Sequence, residues 1–405
     1  MMFDLIRLAA ALAIHGALDD ACSGCDHRLP ARVLAAIHRV DEQQAQPTRS
    51  AAHQADLDED VRMGKEYAKE VEKELKLSEN QDMINRVNKL GAALTPIANG
   101  TKVEVSWGDP RLNPFDYTFK VVKGDDVNAF SIPGGFIYVY EGLIKYAESD
   151  DELAGVLAHE IAHAAFRHLA TLRREQSRLS AITLPLIFIS IFSNSDAAQG
   201  LGAVGQLLGT AIGSGWSQKA EESADWGGFQ YMLKSPFNPV GLLTFMERLA
   251  YDERNKPRIE WGIYRTHPPS RQRAIALRQR LERAGLPIRR STVTSTLRAD
   301  VRPGEDGHVE VWFAGSKLVS FGGADALSRA DAAAAGFNVF FDHVPKLFEI
   351  RRDGSVIVGK GRPLLTLEGA DVRRPDQTVE DLAEETVRII KRAIYDLQYR
   401  VWEAF

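Results

Sequence analysis

The chain has 405 residues, 44% of them hydrophobic and 26% charged, with 50 Lys and Arg against 55 Asp and Glu and a formal net charge of −5. That is globular composition; it gives no electrostatic case for a nucleic-acid partner, and two cysteines cannot build a disulfide scaffold. A mean hydropathy of −0.22 argues against a polytopic membrane protein, and the length favours two or three domains.

At the N-terminus an apolar run over residues 8–14 follows Arg7, but Asp4 offsets that charge and Asp19-Asp20 occupies the region where a signal peptide would be cleaved. The run is too short to span a bilayer. Cys22 and Cys25 form a C-x-x-C with no second pair to complete a zinc site, and are read as incidental. Residues 41–56 are polar and aperiodic, so residues 1–56 are expected to be leader and linker.

From Leu57 the pattern turns helical, first through Val61, Tyr67 and Val71, then through Ile84, Val87, Leu90 and Leu94. Alternation at Val103, Val105 and Trp107, and again at Tyr117, Phe119 and Val121, predicts two adjacent strands. Residues 136–140 predict a third, after a Pro133-Gly134-Gly135 turn. Ser149-Asp150-Asp151-Glu152 is a capping-box pattern that predicts a helix to about Leu172. The apolar, Gly-rich stretch 181–213 is expected to form buried helices. Peripheral membrane association through a hairpin there is the competing expectation. Helical pattern resumes over 218–233 and 271–283. A composition shift at 291–300 opens a second segment, with a hairpin at Asp353-Gly354 and a last helix capped by Thr378. It shows no catalytic constellation, and no internal repeat is evident in the chain.

The chemistry concentrates in His159-Glu160-Ile161-Ala162-His163. Two histidines four apart project from one helical face and can converge on one ion, and Glu160 stands beside the open position, where it can take a proton from water. The neighbours Val156, Leu157, Ile161 and Ala162 predict a buried helix, in which two unpaired imidazoles would be costly. A catalytic zinc needs a third protein ligand. Glu221-Glu222-Ser223-Ala224-Asp225 offers one, with Glu221 and Asp225 sharing a face; spacing alone leaves Glu221 and Glu222 open.

Four motifs then stand in order: Asn128-Ala129-Phe130-Ser131-Ile132-Pro133-Gly134-Gly135, the His159–His163 motif, Glu221-x-x-Ala224-Asp225, and Thr266-His267-Pro268-Pro269. Together they resemble the zinc metalloprotease family of the CAAX prenyl protease and HtpX type, in particular its soluble bacterial envelope members, over residues 57–285. The resemblance implies one zinc per chain held by His159, His163 and Glu221, with Glu160 as general base and Asp225 as a supporting acid. The implied fold class is α+β: a mainly helical, zincin-like metalloprotease domain of the gluzincin type with a small three-stranded sheet over 57–290, and a small C-terminal α+β domain over 291–405. The spans of the family's integral members and the helical repeats of some periplasmic ones are missing.

His267 has two readings, a donor to the reacting carbonyl oxygen or a fourth ligand that closes the site. If the strand over 136–140 is an edge strand, Phe136, Ile137 and Tyr138, with Gly134, Gly135 and Asn128 leading into it, would pair with protein or peptide substrates in extended conformation. The expected function is a zinc-dependent endopeptidase for misfolded or unassembled envelope proteins, periplasmic or peripheral to the membrane. A chaperone or assembly factor that binds extended segments and cleaves rarely is the alternative.

Overall fold

In the computed structural model, residues 49–175, 216–255, 262–263, 267 and 271–402 are described. The expectations for the leader, for Cys22 and Cys25, and for 181–213 lie outside them, as do Thr266, Pro268 and Pro269. Among the described residues no helix is long and apolar enough to cross a membrane.

Helix α1 (Ala51–Glu74) and helix α2 (Gln81–Gly100) carry the two periodic stretches. Asn80 caps α2 by accepting a hydrogen bond from the Met83 amide. Between α1 and α2 in space lies a sheet of β1 (Thr118–Val122), β2 (Ala129–Ile132) and β3 (Phe136–Tyr140). Side chains alternate along the strands. Phe130, Tyr138 and Tyr140 face Tyr67 and Val71 of α1, while Val121, Ala129, Ile137 and Val139 join the core that holds Leu90 and Leu94 of α2.

The order is β1-β3-β2, with β3 parallel to β1 and antiparallel to β2. This corrects the expected substrate strand. Residues Phe136, Ile137 and Tyr138 lie in the central strand, and both sides of their main chain are used within the sheet. Nor do Gly134 and Gly135 open toward a substrate. They adopt φ of 77° and 86°, and an added Cβ would come within 2.6 Å of Val61 Cα and 2.9 Å of Phe115 Cβ respectively, so they serve close packing of the turn.

A second correction concerns Val103, Val105 and Trp107, which form no strand. Trp226 Nε1 donates to Glu104 O, Trp107 N donates to Ser223 Oγ, and Asp109 N donates to Phe166 O. The segment is a strap across two later helices, and its alternation reflects one buried side rather than a ladder.

After α3 (Glu141–Tyr146), helix α4 (Asp150–Ala165) starts where Ser149 Oγ accepts from the Glu152 amide. It ends earlier than expected. Arg167 takes φ of 52° and α5 (His168–Glu175) begins anew. The buried Arg167 guanidinium pairs with Asp60 at 2.5 Å and Asp109 at 3.0 Å, and these tertiary ion pairs override local helix propensity. Helices α6 (Trp216–Lys234), α7 (Val240–Asn255) and α8 (Arg271–Arg283) complete this half.

The chain continues as two antiparallel three-stranded meanders, each followed by a helix. The first is β4 (Asp300–Pro303), β5 (Val309–Phe313), β6 (Ser316–Phe321) and α9 (Ala326–Asp342). The second is β7 (Ile350–Asp353), β8 (Val356–Gly359), β9 (Arg362–Thr366) and α10 (Val379–Arg400). They share a core built on Phe313, Phe321, Phe337, Phe341, Ile357, Ile390 and Ile394.

This order is a repeat that sequence inspection missed. Ala314-Gly315 (φ 50° and 80°) and Lys360-Gly361 (φ 49° and 78°) make matching turns, and the strand pairing slips at Val311/Trp312 and again at Ile357/Val358. Gly323-Ala324-Asp325 then matches Gly369-Ala370-Asp371. The segment is tied to α7 and its neighbours by polar contacts, among them one buried ion pair. Arg290 donates to both Glu247 oxygens at 2.7 and 2.8 Å, and Glu148 accepts from Thr294, Ser295 and Thr296.

Candidate metal centre

The site forms where α4 crosses α6. Gly227 and Gly228 of α6 face α4 so closely that a Cβ on Gly228 would sit 3.1 Å from His159 N, and one on Gly227 2.4 Å from Phe166 Cζ. That approach brings Glu221, about two turns earlier on α6, to the two histidines of α4.

Ligand atoms of His159, His163, Glu221 and His267 all lie within 4.8 Å of one another. His159 Nε2 is 3.0 Å from His163 Nε2 and 3.3 Å from His267 Nδ1. Glu221 Oε1 lies 3.3 Å from His163 Nε2 and 3.0 Å from His267 Nδ1. Three imidazole nitrogens and a carboxylate converging on one point fit a divalent ion that takes mixed nitrogen and oxygen donors. Glu160 is 1% exposed; its Oε1 lies 3.3 Å from His267 Nε2, and its buried Oε2 has no hydrogen-bond partner among the described residues.

The surrounding groups fix the rings. His159 Nδ1 lies 3.1 Å from Asp225 Oδ1. His163 Nδ1 lies 2.9 Å from His168 Nδ1, and His168 Nε2 lies 3.3 Å from the Trp107 carbonyl. One proton arrangement satisfies this chain: His163 Nδ1–H donates to His168, and His168 Nε2–H donates to Trp107 O. It leaves His163 Nε2 as a lone pair toward the cluster.

Burial opposes charge on His159, but contacts with Asp225 and Glu221 overcome it and raise its pKa to about 10. Burial would raise Glu221, yet the charges of His267 and Arg273 hold it well below the carboxylate range. Burial pushes His168 far below its ordinary value, helped by His163.

Of the residues expected from sequence, His159, Glu160, His163, Glu221, Asp225 and His267 are brought together. Asn128 is not part of the cluster. It is fully buried, its carbonyl accepts from the Tyr140 amide, and a Cβ on Gly262 would lie 2.4 Å from its Nδ2. Next to it, Val127 O accepts from the Ile263 amide, and Ile263 O accepts from the His267 amide. Sequence reading missed Arg273 and His168. His168 had a usable signal, a third histidine five residues after His163. Arg273 had none, being one arginine of several in an arginine-rich helix.

This helix pair and donor set define a candidate metal centre, with two histidines of one helix facing a glutamate of another. Residues 105–281 match Peptidase family M48. Similar proteins include the beta-barrel assembly-enhancing protease of Escherichia coli (strain K12), 30% identical over 234 residues that make up 57% of this chain and 45% of that protein. Metalloprotease LoiP of the same organism is 29% identical over 48% of this chain and 71% of its own length. The mitochondrial metalloendopeptidase OMA1 of Schizosaccharomyces pombe is 29% identical over 43% of this chain and 49% of its own. The chain spans less than half the length of the first of these relatives.

Proposed function

We propose that the chain is a zinc-dependent endopeptidase of the gluzincin type that cleaves misfolded or unassembled proteins of the bacterial cell envelope. The observation that carries this reading is the four-donor cluster set against a buried glutamate with an unpartnered oxygen. His159, His163 and Glu221 would hold the ion, which when bound supplies Lewis acidity to water and to a peptide carbonyl. Glu160 Oε2 accepts the proton of the attacking water and returns it to the leaving amine. Asp225 keeps the His159 ring oriented through Nδ1. Relatives named for β-barrel assembly support an envelope setting, periplasmic or at the membrane surface.

The substrate strand belongs at β2 rather than β3. Tyr140 N donates to Asn128 O, so Asn128, Phe130 and Ile132 turn their main chain toward β3, and Ala129 and Ser131 turn theirs away. An extended substrate pairing there would run beside Ile263, whose amide donates to Val127 O. His267 stands in the place of a fourth donor and covers Glu160 Oε1, which supports a latent, closed site that opens when His267 is displaced.

The test compares wild type, Glu160→Gln and His267→Ala for zinc content and casein hydrolysis, with and without chelator. Chelator-sensitive cleavage lost in Glu160→Gln and raised in His267→Ala is expected; loss in His267→Ala would make His267 a donor to the substrate. Rescue of a deletion strain by Glu160→Gln would instead favour the assembly-factor role.

A further inference from the structure

The side chain of Arg273, on the first turn of α8, is 4% exposed and reaches both α6 carboxylates of the centre. Its Nε and Nη2 donate to Asp225 Oδ2 and Oδ1 at 2.8 Å each, and its Nη1 lies 2.9 Å from Glu221 Oε2. A planar guanidinium has donors pointing in several fixed directions, so one side chain can hold two carboxylates at set angles; an ammonium cannot.

We propose that Arg273 is a positioning residue of the metal centre, orienting two of its three protein ligands at once. It sets the carboxylate of Glu221 directly. Through Asp225, whose Oδ1 lies 3.1 Å from His159 Nδ1, it sets the imidazole of His159. Three buried carboxylates, Glu160, Glu221 and Asp225, crowd this volume at 1%, 4% and 1% exposure. Without the guanidinium, Asp225 and Glu221 lose the donors that hold their oxygens in place. The proposal rests on the metalloprotease reading above. A cation so close to the centre also repels a divalent ion, and this opposite effect makes the sign of the outcome informative.

The experiment uses the full chain as wild type, Arg273→Lys and Arg273→Gln. Zinc affinity is measured by competition with a chromophoric chelator, and ligand geometry by the visible absorption of the cobalt(II) form. Both variants are expected to bind zinc about 10- to 100-fold more weakly, as outer partners of metal ligands do, with altered cobalt bands. A lysine variant matching wild type in affinity and spectrum overturns the proposal, since charge alone would then suffice. A glutamine variant that binds more tightly also overturns it, leaving Arg273 as a repulsive neighbour. Should Arg273→Gln fail to fold, combining it with Asp225→Asn removes both charges of the buried pair. The same loss is expected there, and wild-type affinity refutes the role. Failure of wild type to bind either ion refutes the metalloprotease reading itself and the proposal with it.

Discussion

Loading the metal-free protein with zinc at pH 7.5 should release protons. With its pKa raised to about 10, His159 is protonated at that pH by a ratio of roughly 300 to 1. Its Nε2 faces the other donors, so that proton must leave before the nitrogen can ligate, while Nδ1 stays 3.1 Å from Asp225 Oδ1. The charge balance agrees. Glu221 and Asp225 bring two negative charges and Arg273 one positive, a deficit that the proton on His159 offsets in the metal-free protein. The pKa of His267 is also raised, against the effect of burial, by Glu221 and Glu160. Calorimetric titration in two buffers of different ionisation enthalpy should therefore show at least one proton released per zinc. Apparent affinity should climb about tenfold per pH unit for each proton displaced, up to about pH 10. Metal-free stability runs the other way: the contribution of His159 is complete below its unfolded pKa near 6.5 and is lost as pH rises through 10. No proton release at pH 7.5 would refute this charge assignment.

Glu160→Gln should keep zinc content and lower kcat by about 10²- to 10⁴-fold, the range for a lost general base, as read by casein hydrolysis at matched metal loading. Gly228→Ala puts a methyl group 3.1 Å from His159 N, so the α4 backbone must give by a few tenths of an ångström; weaker zinc binding and a loss of about 1 kcal/mol in denaturant unfolding are expected where that backbone cannot yield. Glu148, 17% exposed, is raised by burial but brought down to about 2 by hydrogen bonds from Thr294 and Thr296. Its depressed pKa stabilises the fold above about pH 4.5 by an order of 3 kcal/mol, lost as pH falls toward 2. Glu148→Gln should flatten that acid limb in urea melts, and an unchanged limb would refute the anchor.

Local rules made part of this molecule legible. The cap at Ser149 and the four-residue spacings of His159 with His163 and of Glu221 with Asp225 need only one helix each to be read. The failures lie where distant segments decide. Alternation shows that residues 136–140 are extended, but says nothing of which strands flank them, and β3 proved central. Helical periodicity carried α4 toward Leu172, whereas the break at Arg167 depends on Asp60 and Asp109, 107 and 58 residues away. Arg273 stands 48 residues from Asp225, and nothing in its own neighbourhood distinguishes it from Arg271 or Arg278.

The paired meanders at the C-terminal end bear on how freely two like units can diverge. Their equivalent corners touch: the Gly322 amide donates to Asp371 Oδ1 at 2.9 Å, and a Cβ on Gly322 would fall 2.0 Å from Ala370 O. A two-fold homodimer makes each contact and carries each substitution twice, whereas two like units within one polypeptide are free of that restriction. The halves have used the freedom. Asp325 stands at the start of its own helix, while Asp371 crosses over to hold Gly322 and pairs with Arg329 at 2.6 Å. Lys317 borders a groove with Arg388 and Arg392 of α10, and its counterpart in the second half is Pro363. One copy can thus acquire a surface of its own while the other keeps the shared architecture intact.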